Sequence, residues 1–195
     1  NIKTNIKSFS KPEINDNEKI ILPKFEKPII VCGPLRHNER NDNILSFAKK
    51  INAPILADIL SQFRFSNKKN HALVRYENYI EKIDDNPDLI IRFGDKPICK
   101  KLNLFLENHK SKTILINEFR NINDDCQKQI KINYDFLLSN IETKYKGINL
   151  WIDQILNLEN NALKLSKFDL HEKKYQKLVK DAIKALKNND SIFLG

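Results

Sequence analysis

NPDLIIRFGDKPICKKL, residues 86–102, sets the fold class of this chain and also holds its first candidate site. Leu89 to Phe93 is a nearly continuous apolar strand. It stops at Gly94 and gives way to a polar turn that ends on two adjacent lysines, Lys100 and Lys101. Apolar runs without alternation are the pattern of parallel strands covered on both faces. In proteins built on such strands, ligands gather at the carboxyl ends. A strand closed by glycine and followed by paired cations is therefore a candidate anion site.

The same pattern repeats on either side. Residues 28–33 (PIIVCG), 54–58 (PILAD) and 112–117 (KTILIN) read as further buried strands, and a fifth is expected near 129–132. Between them, residues 43–51 place Ile44, Phe47, Ala48 and Ile51 on one helical face. Residues 73–83 are read as a second helix. Residues 99–109, with Leu102, Phe105 and Leu106 on one side, are read as a third, and 134–141 as a fourth. Alternating strands and helices predict an α/β, Rossmann-like, doubly wound sheet that is mainly parallel, with flanking helices. From Asn149 onward the strand pattern ends. Leu150, Ile152, Ile155 and Leu156, then Tyr175, Leu178, Val179, Ala182, Ile183 and Leu186, predict two C-terminal connecting helices. The expected domain plan is a linker over 1–23, the Rossmann-like domain over 24–143, connecting helices over 144–188 and the start of a following domain over 189–195. The chain begins at Asn1, contains no Met and ends on SIFLG, an apolar run that reads as a strand beginning. The expectation is a piece of a longer polypeptide.

Composition narrows the function classes. A hydrophobic fraction of 41% with 11 Phe indicates a folded chain, and 195 residues can bury a core. The net charge of +9 is carried mostly by lysines interleaved with Asp and Glu, the pattern of a solvated basic surface. Specific nucleic-acid binding would call for clustered Arg and exposed aromatics in a recognisable module, and none is present. Cys32, Cys99 and Cys126 are odd in number and widely spaced. This excludes a disulfide framework and suits a reducing, cytoplasmic setting. His37, His71, His109 and His171 show no metal-ligand spacing. No apolar run reaches the ~18 residues of a membrane span, and residues 1–23 are not expected to be a signal peptide.

Each candidate position has a plain alternative. The turn after the first strand, VCGPLRHNER, has Gly33 alone where a dinucleotide fingerprint needs three glycines. It reads as a strand-end turn. Asp58 stands where a ribose-binding acid could sit, but more simply caps the turn that follows it, through Ser61, Gln62 and Arg64. Arg64 is either an anion contact or a surface residue. Lys100 and Lys101 open a helix, where N–H groups and the dipole favour anions. Cations there are unfavourable unless something negative compensates, so the pair either holds an anion or extends into solvent. No nucleophile elbow, phosphate loop or Ser/His/Asp arrangement is present.

IIVCGPL (29–35), PILADILSQFR (54–64), RYENYI (75–80) and PDLIIRFGDKPICKKL (87–102) together resemble the central domain of SEPHCHC synthase. This is the 2-succinyl-5-enolpyruvyl-6-hydroxy-3-cyclohexene-1-carboxylate synthase family of menaquinone and phylloquinone biosynthesis. The resemblance spans most of residues 28–140, and the terminal IFLG is similar to the first strand of that family's third domain. It implies a Rossmann-like domain without a nucleotide, lying between two domains that bind thiamine diphosphate and magnesium. The cofactor-activating glutamate and the magnesium motif of those domains are not in this chain, so no cofactor is expected on it. The resemblance further implies that Lys100 and Lys101 match a basic pair lining the substrate pocket, which holds the carboxylates of isochorismate. Relatives place Arg or Pro at the second position. Arg64 becomes a regulatory anion-site candidate, because in some relatives the central domain binds a downstream naphthoate through arginines. Arg92 acquires no role. The implied full-length partners are isochorismate and 2-oxoglutarate, in a homodimer or homotetramer, with neither nucleic acid nor membrane. The competing reading is an FAD- or NAD-binding module of another thiamine-diphosphate enzyme.

Overall fold

The computed structural model describes residues 19–35, 41–63, 72–83, 86–118, 126–168, 177, 178 and 181. Its centre is a six-stranded sheet. The strands are β2 (Pro28–Cys32), β3 (Ile55–Ala57), β4 (Ala72–Leu73), β5 (Leu89–Phe93), β6 (Thr113–Asn117) and β7 (Lys128–Lys131), in the order β4-β3-β2-β5-β6-β7. Every pairing is parallel, with Ile29 opposite Ile90 and Ile91 opposite Ile114. β1 (Ile20–Ile21) and β8 (Ile141–Glu142) form a separate parallel pair. Asp88 aligns the start of the two central strands, since its carboxylate accepts from the backbone N–H groups of Glu26 and Lys27.

Residues alternate across the central strands between two cores. Ile30, Cys32, Leu89, Ile91 and Phe93 face the first core. There they meet Ile44, Phe47, Ala48 and Ile51 of α1 (Asn41–Ile51) and Leu137 of α3 (Leu137–Asn140). Ile29, Val31, Leu56 and Ile90 face the second. It is closed by Leu102, Phe105 and Leu106 of α2 (Lys100–Asn108) and by Trp151, Ile155 and Ala162 of α4 (Asn149–Phe168). Both faces of β2 and β5 are dry, which is why these segments read as unbroken apolar runs. α1 and α2 lie on opposite faces, so the sheet is doubly wound, as the alternating pattern predicts. Trp151 locks α4 in place by donating its indole N–H to the Pro28 carbonyl at 3.0 Å.

One expected helix is corrected. Residues 73–83 form no α-helix. Ala72–Leu73 pair with β3, and two 3-10 turns follow, Tyr76–Asn78 and Ile80–Lys82. Leu73, Tyr76 and Tyr79 are all buried at spacings of three, the repeat of a 3-10 turn. The backbone N–H groups of Val74 and Arg75 are taken instead by the Glu159 carboxylate on α4. Residues 134–141 divide into a 3-10 turn, Tyr134–Phe136, and the short α3. Of the expected linker, residues 19–23 are described, and Ile20–Ile21 form β1 with Leu22 buried behind it. Of the second C-terminal helix only residues 177, 178 and 181 are described, and the terminal SIFLG lies outside the described residues.

Candidate functional site

The strand order reverses between β2 and β5, since the chain leaves β2 for β3 on one side and leaves β5 for β6 on the other. Crevices at such reversals, beyond the carboxyl ends of the strands, are where doubly wound sheets place ligands. Here the crevice is closed by the chain itself. A Cβ on Gly33 would stand 2.0 Å from the Asp95 carbonyl oxygen, and a Cβ on Gly94 would stand 2.4 Å from that of Pro34. The Asp95 N–H donates to the Pro34 carbonyl at 2.9 Å. Gly94 has a φ of +74°, which glycine adopts freely and other residues only with strain. Its N–H donates to the Tyr134 hydroxyl at 3.0 Å. The two turns interlock, and neither glycine has room for a side chain. The Gly33 turn is thus a strand-end turn, as its single glycine suggests.

Polar chemistry lies one step further along, at the start of α2. Asp58 immediately follows β3 and is fully buried. One carboxylate oxygen accepts from the Leu60 N–H at 3.2 Å, and the Ser61 N–H and hydroxyl donate to its carbonyl, so it does cap the turn that follows. The other oxygen accepts from the N–H groups of Ile98 at 3.0 Å and Cys99 at 3.4 Å, 40 and 41 residues away. Cys99 is the residue before the first turn of α2. The negative charge at the opening of this helix therefore comes from the chain itself. On the helix side, the Asn103 amide donates to the Pro97 carbonyl at 2.6 Å. Burial pushes the Cys99 thiol upward.

Lys100 and Lys101 sit side by side at the head of α2, both exposed. Successive helical positions are 100° apart, so the two side chains diverge. Lys101 flanks the buried stripe of Leu102 and Phe105, and its ammonium pairs with the Glu81 carboxylate at 3.4 Å. This exposed pair borders a groove of about 200 Å³ lined by Ile80, Leu104, Asn108 and His109. Lys100 points away from the core. It makes no hydrogen bond or ion pair among the described residues, and the exposed apolar side chains of Ile98 and Leu104 neighbour it in sequence. Among the described residues the two lysines are thus inequivalent, Lys101 paired with Glu81 and Lys100 with no side-chain partner.

Arg64 lies outside the described residues. Arg92 is buried in β5 on the face that packs against α2, by the alternation of that strand. Sequence reasoning missed the reach of Asp58 to α2. A strand-end acid fully buried beside its own capped turn is the only hint, and that burial is not visible in the sequence. Among the described residues no three or more His, Cys, Asp or Glu side chains converge on a possible metal site. No described helix is long and apolar enough to cross a membrane.

Comparison with known proteins adds the remaining observations. A family model described as the middle domain of thiamine pyrophosphate matches residues 4–194. The chain is 31% identical over 179 residues to the 2-succinyl-5-enolpyruvyl-6-hydroxy-3-cyclohexene-1-carboxylate synthase of Staphylococcus haemolyticus, covering 88% of this chain and 32% of that protein. It is 29% identical over 196 residues to the synthase of the same name from Staphylococcus epidermidis, covering 97% of this chain and 34% of that protein. It is 35% identical over 100 residues to the Bacillus cytotoxicus synthase, covering 49% and 17%. The chain spans between about a sixth and a third of the length of these relatives.

Proposed function

We propose that this chain, which belongs to the family of thiamine pyrophosphate middle domains, forms the central domain of a SEPHCHC synthase and supplies one wall of its substrate pocket. The observation that carries the reading is the shared name of relatives aligned over 88 to 97% of the chain. The parent reaction on this reading decarboxylates 2-oxoglutarate and adds the succinyl unit to isochorismate, in menaquinone or phylloquinone biosynthesis. The full-length enzyme is a homodimer or homotetramer. Thiamine diphosphate and magnesium supply the carbanion chemistry in that enzyme. Among the described residues no three or more His, Cys, Asp or Glu side chains converge as a metal site would need. No chemical step is assigned to this chain.

Its contribution is binding and orientation. Isochorismate is a dicarboxylate, and an ammonium held at a helix start offers it a charge-assisted hydrogen bond. Lys100 is suited to this by having no side-chain partner among the described residues. Lys101 would have to release Glu81, a modest demand for an exposed pair. An FAD or NAD module is disfavoured by the interlocked turns at the strand reversal.

The test is steady-state kinetics of the full-length enzyme carrying Lys100→Ala. Losing one hydrogen bond to a charged group, worth about 1.5–3 kcal/mol, raises the KM for isochorismate by about 10- to 100-fold. The KM for 2-oxoglutarate should stay where it is, and Lys101→Ala should have the smaller effect of the two. Unchanged isochorismate saturation in Lys100→Ala removes Lys100 from the pocket.

A further inference from the structure

We infer that Asp58 is a positioning residue for Lys100, setting where its ammonium stands although it touches no substrate itself. The inference rests on the placement of Lys100 in the isochorismate wall. A buried carboxylate is costly unless its oxygens are satisfied, and Asp58 is fully buried. Capping its own turn needs one side-chain oxygen, which an Asn or Ser could provide equally well. The second oxygen is committed to Ile98 and Cys99, a segment from the other side of the strand reversal.

The consequence for Lys100 is geometric. Ile98 and Cys99 immediately precede it, and their N–H groups are fastened to the end of β3. Pro97, one residue earlier, is held from the helix side by Asn103. Three consecutive residues are pinned, and Lys100 is the next. The direction in which α2 launches its first side chain is therefore referenced to the sheet. Asp58 also provides, from within, the negative charge that the helix start favours. Because its carboxylate is engaged by backbone N–H groups, the ammonium of Lys100 stays available for a carboxylate ligand. A shift of about 1 Å in a binding group can cost on the order of 100-fold, so loosening these anchors should be felt in substrate saturation.

The experiment uses the full-length enzyme with Asp58→Asn, Lys100→Ala and the double variant. Asp58→Asn keeps size and one acceptor oxygen but turns an amide NH₂ toward N–H groups that need an acceptor. It should raise the isochorismate KM about tenfold while 2-oxoglutarate KM and kcat stay within about twofold. In the double variant the Asp58 change should add nothing to Lys100→Ala, because both act through one ammonium. If Lys100→Ala is silent, the pocket reading and this inference fall together. If Lys100→Ala is damaging while Asp58→Asn is silent or additive with it, the inference falls alone. A uniform loss of kcat and of both saturations also overturns it, marking Asp58 as purely structural. Should Asp58→Asn fail to fold, Asn103→Ala frees the same segment from the helix side. The same selective rise is expected there, and equal KM values with the parent enzyme would refute the idea.

Discussion

Replacing Glu159 by alanine is expected to unfasten α4 from the rest of the domain. The Glu159 carboxylate accepts from the Val74 N–H at 3.2 Å, from the Arg75 N–H at 3.2 and 3.1 Å, and from the Tyr79 hydroxyl at 2.9 Å. The Arg75 guanidinium also approaches it at 3.5 Å, but Arg75 is one-third exposed, so this contact counts for little. Alanine would remove the acceptor that the Val74 and Arg75 N–H groups and the Tyr79 phenol share. Each unsatisfied buried group costs about 1–3 kcal/mol, and water reaching the partly exposed N–H groups holds the sum near ~3 kcal/mol. For a domain of this size, about 2–4 °C per kcal/mol, the melting temperature should fall by about 6–12 °C. Glu159→Gln retains one acceptor oxygen and should lose roughly half as much. Thermal unfolding followed by far-UV circular dichroism at neutral pH reads both. An alanine variant melting within about 2 °C of the parent would refute the reasoning, since it would show that α4 is held by its apolar face alone.

Gly94→Ala places a Cβ 2.4 Å from the Pro34 carbonyl at a φ of +74°, and should cost at least ~2 kcal/mol by denaturant unfolding. A loss below about 0.5 kcal/mol would show that the interlocked turns yield easily. Burial, reinforced by Glu159, raises the Tyr79 phenol above its ordinary value of 10.0. Above that pH the unfolded chain gives up a proton that the folded chain keeps, so stability should fall as pH rises past 10. Tyr79→Phe should flatten this alkaline decline in chemical-denaturation curves taken from pH 9 to 11, and an unchanged slope would count against it. The purified 195-residue chain, given thiamine diphosphate, magnesium, 2-oxoglutarate and isochorismate, should release no carbon dioxide. Turnover by this chain alone would overturn the scaffold-and-wall assignment.

Strands β2, β3, β5 and β6 were readable because burial on both faces forces continuous apolar runs, and α1 and α2 because their apolar residues recur on one face. Residues 73–83 misled for a specific reason. Leu73, Tyr76, Ile80 and Ile83 fit a helical face, yet Leu73, Tyr76 and Tyr79 fit a period of three, and Glu159, some 84 residues on, takes the N–H groups that would choose between them. β1, β4 and β8 are two residues each, too short to leave a periodic trace. At the site, Gly94 and the lysine pair were plain in the sequence. What separates Lys100 from Lys101 was not, because Glu81 and the Asp58 anchor reach them only through the fold.

Ile20 and Ile21 find their partners only at Ile141 and Glu142, and the Pro28 carbonyl waits for the indole of Trp151, 123 residues later. During synthesis at about 5–20 residues per second, the first strand would emerge roughly 6 to 25 s before its neighbour exists. Through that interval Leu22 and Phe25, both buried in the finished domain, have only part of their core to pack against. Contacts so distant in sequence slow folding and prolong the life of sticky, half-made surfaces. A truncation before Trp151 would leave the Pro28 carbonyl without its indole partner and the second core without the helix that closes it.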